Sequence, residues 1–144
     1  MKNTIIEYFP SFKDSKFIED LNKVAIKQLF EEEKTILEHG SEVAFIPLVT
    51  KGSIRVLRED ESGKEILLYY VKPGESCIIS IMSSKKNQKS QLKAVVAENT
   101  EVILIPSNLI KDWSTKYSNW NDFVFDLYQK RFEELIHVVD ELAF

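Results

Sequence analysis

The stretch Lys51–Glu75, KGSIRVLREDESGKEILLYYVKPGE, decides how the rest of the chain is read. It contains two short runs of strand-forming residues, Ser53–Arg58 and Glu65–Val71. They are separated and bounded by turn chemistry: Lys51-Gly52, Asp60-Glu61-Ser62-Gly63 and Pro73-Gly74. Between Arg58 and Glu65 the spacing predicts a hairpin in which Gly63 supplies a positive φ. Lys64–Val71 alternates poorly and is apolar on both sides. That predicts a strand covered inside by core or ligand and outside by a helix.

Working outward, the same grammar runs from Lys34 to Pro106. Further strands are predicted at Lys34–Glu38, Val43–Val49, Cys77–Met82, Lys93–Ala97 and Glu101–Ile105. The breaks between them fall at His39-Gly40, in the polar stretch Ser83–Gln91 and at Glu98-Asn99-Thr100. Many short strands at spacings of roughly ten residues predict a sandwich or barrel.

Helical periodicity flanks this region on both sides. Phe17, Leu21, Val24, Ala25 and Leu29 recur at steps of three and four, which predicts a helix over Asp14–Phe30 capped by Asp14 or Ser15. Glu31-Glu32-Glu33 then reads as a solvated corner. Ser107 is expected to cap a short helix over Asn108–Trp113, and a second helix starts near Ser118 or Asn119 and runs to the end. On that helix Phe125, Tyr128, Phe132, Leu135, Val139 and Leu142 alternate steps of three and four, the seam of a coiled coil. Trp120, Phe123, Val124 and Leu127 form a second stripe. One wide core face would account for both stripes. The regular 3.5 period favours packing on the barrel through one stripe and a homodimer through the other. The expected divisions are an arm at 1–13, a helical segment at 14–33, a barrel at 34–106 and the helices at 107–144.

Composition narrows the function. A chain of 144 residues fits one domain, and a net charge of −4 gives no general affinity for nucleic acid. The single cysteine rules out an intrachain disulfide or a four-cysteine metal site and points to a reducing, cytoplasmic setting. No apolar run approaches the ~20 residues of a membrane helix. His39 and His137 are isolated, so neither a metal centre nor metal catalysis of the cupin kind is expected.

The order of parts resembles the sensor half of the Crp/Fnr family of bacterial transcription regulators. Its carriers are Lys51–Val56, Gly63–Leu68, Pro73-Gly74-Glu75, and Ala97 through Ile105 leading into the helices. The resemblance implies a mainly β fold with flanking helices: a double-stranded β-helix, or jelly roll, of the cyclic-nucleotide-binding type, followed by a long dimerisation helix. It also implies a homodimer that binds DNA only through a C-terminal helix-turn-helix domain outside this chain. Glu141-Leu142-Ala143-Phe144 resembles the end of the family's dimer helix, and the natural polypeptide is expected to continue.

In the nucleotide-binding members, a Gly-Glu pair after Pro-Gly-Glu opens a short helix, and an arginine farther on holds the cyclic phosphate. Here those positions carry Ile78 and Ile79, the arginine position falls near Ser90 or Gln91, and no arginine occurs between Glu59 and Lys130. Leu135 and Ile136 stand where the cyclic AMP receptor's helix touches the base. A fork-shaped cation holds two phosphate oxygens in a way that a lysine such as Lys89 or Lys93 does not. The expectation is therefore an effector domain that does not use cyclic AMP or cyclic GMP. An unidentified small-molecule effector would be held by Gly74, Glu75, Ser76, Cys77, Ser80, Gln91 and Tyr69, with no cofactor, no metal and no catalysis. Cys77 is read as a small buried hydrophobe, with oxidant sensing as the alternative. Two other functions stay open: a ligand-free dimeric interaction module, and a cyclic-nucleotide-binding regulatory domain.

Overall fold

The computed structural model describes all of residues 1–144. Seven strands form two antiparallel sheets. The strands are β1 (Ile26–Phe30), β2 (Thr35–Leu37), β3 (Phe45–Lys51), β4 (Ile54–Glu59), β5 (Glu65–Val71), β6 (Lys93–Val96) and β7 (Thr100–Pro106). The first sheet has the order β1-β7-β3 and the second β2-β6-β4-β5. Together they make a jelly-roll-like body: the turn spacing predicts a sandwich or barrel, and the family resemblance implies the jelly roll. The β4–β5 hairpin closes at Glu59 opposite Glu65, and the Asp60 carboxylate accepts from the backbone N–H groups of Ser62 and Lys64.

Five helices flank the roll: α1 (Lys2–Tyr8), α2 (Ser15–Val24), α3 (Ile78–Lys85), α4 (Ile110–Lys116) and α5 (Ser118–Ala143). The Asp14 side chain caps α2, accepting from Lys16 N at 2.9 Å and Phe17 N at 3.4 Å. A 3-10 turn, Ser107–Leu109, leads into α4. Ser107 makes no side-chain cap there; its backbone N–H bonds to Ala44 O at 2.9 Å instead.

Two apolar clusters result. Strand β3 is buried on both faces: Ile46 and Leu48 point to the helices, while Val49 points into the roll. Outside the first sheet, Ile46, Leu48, Ile103 and Ile105 meet an aromatic layer built from Phe9, Phe12, Phe17, Trp113, Trp120 and Phe123. Phe12 and Phe123 sit edge to face at 5.0 Å, as do Phe12 and Phe17 at 4.9 Å. Between the sheets a smaller cluster gathers Val49, Ile54, Val56, Val71, Cys77 and Ala94 among its members.

Four expectations are corrected. Ile26–Phe30 is a strand rather than the end of the first helix. The helical steps stop at Ala25, and Ile26, Gln28 and Phe30 pair with Leu104, Val102 and Thr100 of β7. Cys77–Met82 is not a strand: Ile78–Lys85 is helical, its apolar run divided between the face on the aromatic layer, Ile78 and Ile81, and the roll side. Residues 1–13 carry helix α1 and bury Ile5, Phe9 and Phe12. No helix covers β5. It pairs only with β4, and Ile66, Leu67, Leu68 and Tyr70 are exposed.

Gly52 shows how tightly the roll turns. Its φ is +82°, and a Cβ there would meet Thr100 Oγ1 at 2.4 Å and Asn99 O at 2.5 Å, so only glycine fits.

Candidate effector site

The Pro73–Ser76 turn is sewn to the edge of β3. Gly74 N donates to Val49 O at 2.8 Å, Val49 N to Glu75 O at 3.0 Å, and Ser76 Oγ to Pro47 O at 2.6 Å. Gly74 has φ +86° and lies under the backbone of α1, where a Cβ would come 3.1 Å from Tyr8 O. The turn thus has a fixed geometry from which α3 starts, with Cys77 at its N-cap.

Glu75 is 7% exposed and does not face an open pocket. Its Oε1 accepts from Lys72 N at 3.1 Å and from Arg131 Nη2 at 3.0 Å, and its Oε2 pairs with Lys130 Nζ. Burial pushes the carboxyl's pKa up. The hydrogen bonds from Lys130 and Lys72 N and the nearby charges of Lys130 and Arg131 outweigh it, and the net shift is downward. Arg131 in turn donates to Tyr70 O at 3.0 Å, pairs with Glu134 at 2.8 Å and lies 4.2 Å over the ring of Tyr69. Its Nε is buried without a hydrogen-bond partner; the ring face offsets part of that cost.

Tyr69 links this cluster to the roll interior. Its hydroxyl is 3.3 Å from Cys77 Sγ, and burial, then the neighbouring Cys77, pushes its pKa upward. Cys77 and Ser80 are buried and line a cavity of about 310 Å³ between the two sheets, walled by Ile36, Leu37, Pro47, Ile54, Ala94 and Leu104.

The sequence-derived residues therefore separate. Tyr69, Glu75 and Cys77 come together, with Gly74 and Ser76 fixing the turn beneath them. Cys77 and Ser80 face the cavity. Gln91 is exposed and borders a shallow dip with Ile79, Lys86 and Tyr128 on another side of α3. Ser90, the other residue near which the family's arginine is expected, is buried with its hydroxyl bonded to Leu92 O at 2.7 Å. Lys85, Lys86 and Lys89 are exposed. Sequence reasoning did not find Lys130 and Arg131. Their signal is that they are the only lysine and arginine on α5, adjacent to each other on a helix otherwise rich in acids.

Along α5, Trp120, Phe123 and Leu127 are buried on the body. Phe125, Tyr128, Phe132, Leu135, Val139 and Leu142 are exposed; Phe125 is 68%, Phe132 62% and Leu142 84% accessible. His137 pairs with Glu141 on the helix surface, and no three His, Cys, Asp or Glu side chains converge as a metal site. No helix is long and apolar enough to cross a membrane.

The sequence of residues 27–117, strand β1 through the end of α4, matches the family model for the cyclic nucleotide-binding domain. The chain belongs to the cyclic nucleotide-binding domain family. No curated protein sequence matches it. Among solved structures, this domain is similar to a protein assigned to the Crp/Fnr transcriptional regulators from Eubacterium rectale, with TM-score 0.81 and 18% identity over 94% of this chain and 63% of that one. It is also similar to the c-di-GMP-responsive global regulator CLP of Xanthomonas campestris, with TM-score 0.73 and 16% identity over 91% of this chain and 65% of that one. The catabolite activator protein of Thermus thermophilus aligns with TM-score 0.69 and 20% identity over 93% of this chain and 63% of that one. These likenesses show the fold. This domain spans between 56% and 65% of the length of the bacterial proteins it matches.

Proposed function

We propose that this chain is the effector-sensing and dimerisation part of a Crp/Fnr-like transcription regulator of the cytoplasm, responding to something other than cyclic AMP or cyclic GMP. The observation that carries the reading is the double engagement of α5. Buried Glu75 ties it to the family's ligand-binding turn through Lys130 and Arg131, while its apolar seam, about a third of a turn round the helix, leaves Phe125, Phe132, Leu135, Val139 and Leu142 exposed, with only Tyr128 reaching the body, at Met82. A second copy of α5 is the partner that such a 3.5-residue period fits. The bare edge of β5, whose Tyr70 carbonyl accepts from Arg131, leaves Ile66, Leu68 and Tyr70 exposed as further apolar surface.

The mechanism follows from that linkage and involves no chemistry. A signal that moves the Pro73–Ser80 segment alters the ion pairs on Glu75 and so the seating of α5 on the roll. Two packings of the paired helices, favoured unequally by the signal, would place downstream DNA-binding domains differently. Three features oppose a cyclic phosphodiester. Ile78 and Ile79 hold the Gly-Glu positions, Ser90 is internally bonded, and Arg131 is engaged with Glu75, Glu134 and Tyr70 O. The regulator CLP of Xanthomonas campestris, to which this fold is similar, responds to c-di-GMP, a signal other than cyclic AMP or cyclic GMP, although it too is a cyclic phosphodiester.

Light scattering tests the dimer. The wild-type chain is expected to be dimeric and Leu135→Glu monomeric, because the substitution places a charge in the seam. A monomeric wild type, or a dimer that survives Leu135→Glu, removes the seam. Calorimetry with cyclic AMP and cyclic GMP tests the effector; micromolar binding of either would overturn that part.

A further inference from the structure

We infer that the space between the two sheets is a binding site for a small, mainly apolar molecule with an uncharged or cationic head. The site differs from the family's phosphate-holding positions. None of Ile78, Ile79, Ser90, Gln91 or any residue of α5 lines it. Its walls come from β1, β2, β3, β4, β6 and β7, and the start of α3 contributes its N-cap Cys77 and Ser80. The inference deepens the sensor reading and rests on it for the ligand's role, although the binding itself is tested apart from it.

Size, lining and charge each narrow the occupant. At about 310 Å³ the cavity is roughly twice the ~150 Å³ space that holds benzene in an engineered core, and it falls at the small end of ligand pockets. A bicyclic aromatic or a chain of comparable bulk fits. Nine of its fifteen lining residues are hydrophobic, and Ser80, Thr35 and Cys77 offer only weak polar anchors. No Lys, Arg or His lines it, while Glu38 and Glu42, both exposed, stand at the rim beside Ala44 and Phe45. An anion would enter against two carboxylates with no cation among the lining residues to receive it, Lys93 near Glu38 being paired with Glu65, whereas an ammonium head could rest between them with its apolar body inside. Cys77 also touches Tyr69, which lies beneath Arg131, so an occupant would press on the group that anchors α5.

Three probes share one ring system and differ in charge: indole, tryptamine and indole-3-acetate. Calorimetry on the wild-type chain is expected to show indole and tryptamine binding and indole-3-acetate weaker by about ten-fold or more, the cost of a like charge near the rim. Ala94→Leu, which fills the cavity, should weaken tryptamine by about ten-fold or more. Saturating tryptamine should also slow methyl methanethiosulfonate modification of Cys77, the chain's only thiol, a readout that needs no variant. Leu135→Glu should still bind tryptamine, so loss of the dimer and loss of the site are separable. Absence of millimolar binding by indole and tryptamine, equal binding of indole-3-acetate, or a Cys77 rate indifferent to tryptamine would each overturn the assignment.

Discussion

The two apolar regions of this domain are built differently. Outside the first sheet, 19 buried residues interlock, and the largest are aromatic. Trp120 is 1% exposed and meets Trp113, Phe12 and Phe123 at centroid distances of 5.6, 6.4 and 5.7 Å. Between the sheets, only eight buried residues gather, mostly valine, isoleucine, alanine and cysteine, and a cavity remains beside them. Protein interiors are close-packed, and voids larger than a water molecule are few. An under-filled roll on a densely filled helical layer therefore means that stability is concentrated in the layer, which leaves the roll free to carry function.

The largest expected effect tests that division directly. Trp120→Ala should cost about 3–5 kcal/mol, the range for removing a buried tryptophan, and so a large part of a small domain's total stability. Urea unfolding at neutral pH measures it. A loss near 1 kcal/mol would mean that the aromatic layer yields easily, and the contrast between the two regions would fail.

The same contrast explains what was legible in the sequence. Turn residues with strict backbone needs marked the roll clearly: Gly52 and Gly63 both have positive φ, and six of the seven strands, β2 to β7, fall within two residues of where they were expected. Ile26–Phe30 was misread because its apolar residues continue the helical step of Leu21 and Val24. Only pairing with β7, seventy or more residues away, makes it a strand. Cys77–Met82 is an apolar run whose length suits strand or helix, and the fixed turn before it selects the helix. The candidate site was half visible. The Pro73–Cys77 turn was found by its local chemistry, whereas its partners on α5 lie 55 and 56 positions along the chain, where no short-range pattern reports them.

Glu75 offers the next effect in size, at the junction of the two regions. Glu75→Gln should destabilise the domain by about 3 kcal/mol at neutral pH, since it removes the buried negative charge that two cations share and turns an amide N–H toward one of them. The pH dependence has a definite sign. The folded carboxyl's pKa lies below its ordinary value of 4.5, so near that value the unfolded chain holds more protons. The stabilisation is complete above the unfolded value and is lost as pH falls through the depressed folded one. Wild type and Glu75→Gln should therefore converge in acid. A constant difference between them down to pH 3, roughly a unit and a half below the ordinary value, would show that the carboxylate's charge contributes little.

The smallest effect belongs to the roll interior. Ala94 is 6% exposed on β6, opposite Leu37 and Val56, and borders the cavity. Adding methylenes to a close-packed core forces strain and usually costs about 1–3 kcal/mol. Here the added carbons would enter existing space, so Ala94→Leu should change stability by less than about 1 kcal/mol in either direction, because apolar area gained offsets small adjustments. The contrast with Trp120→Ala is then a difference in kind: one region resists losing atoms, and the other tolerates gaining them. A cost from Ala94→Leu comparable with that of Trp120→Ala would show that the sheets close on each other in solution, and would remove the physical basis for placing any ligand between them.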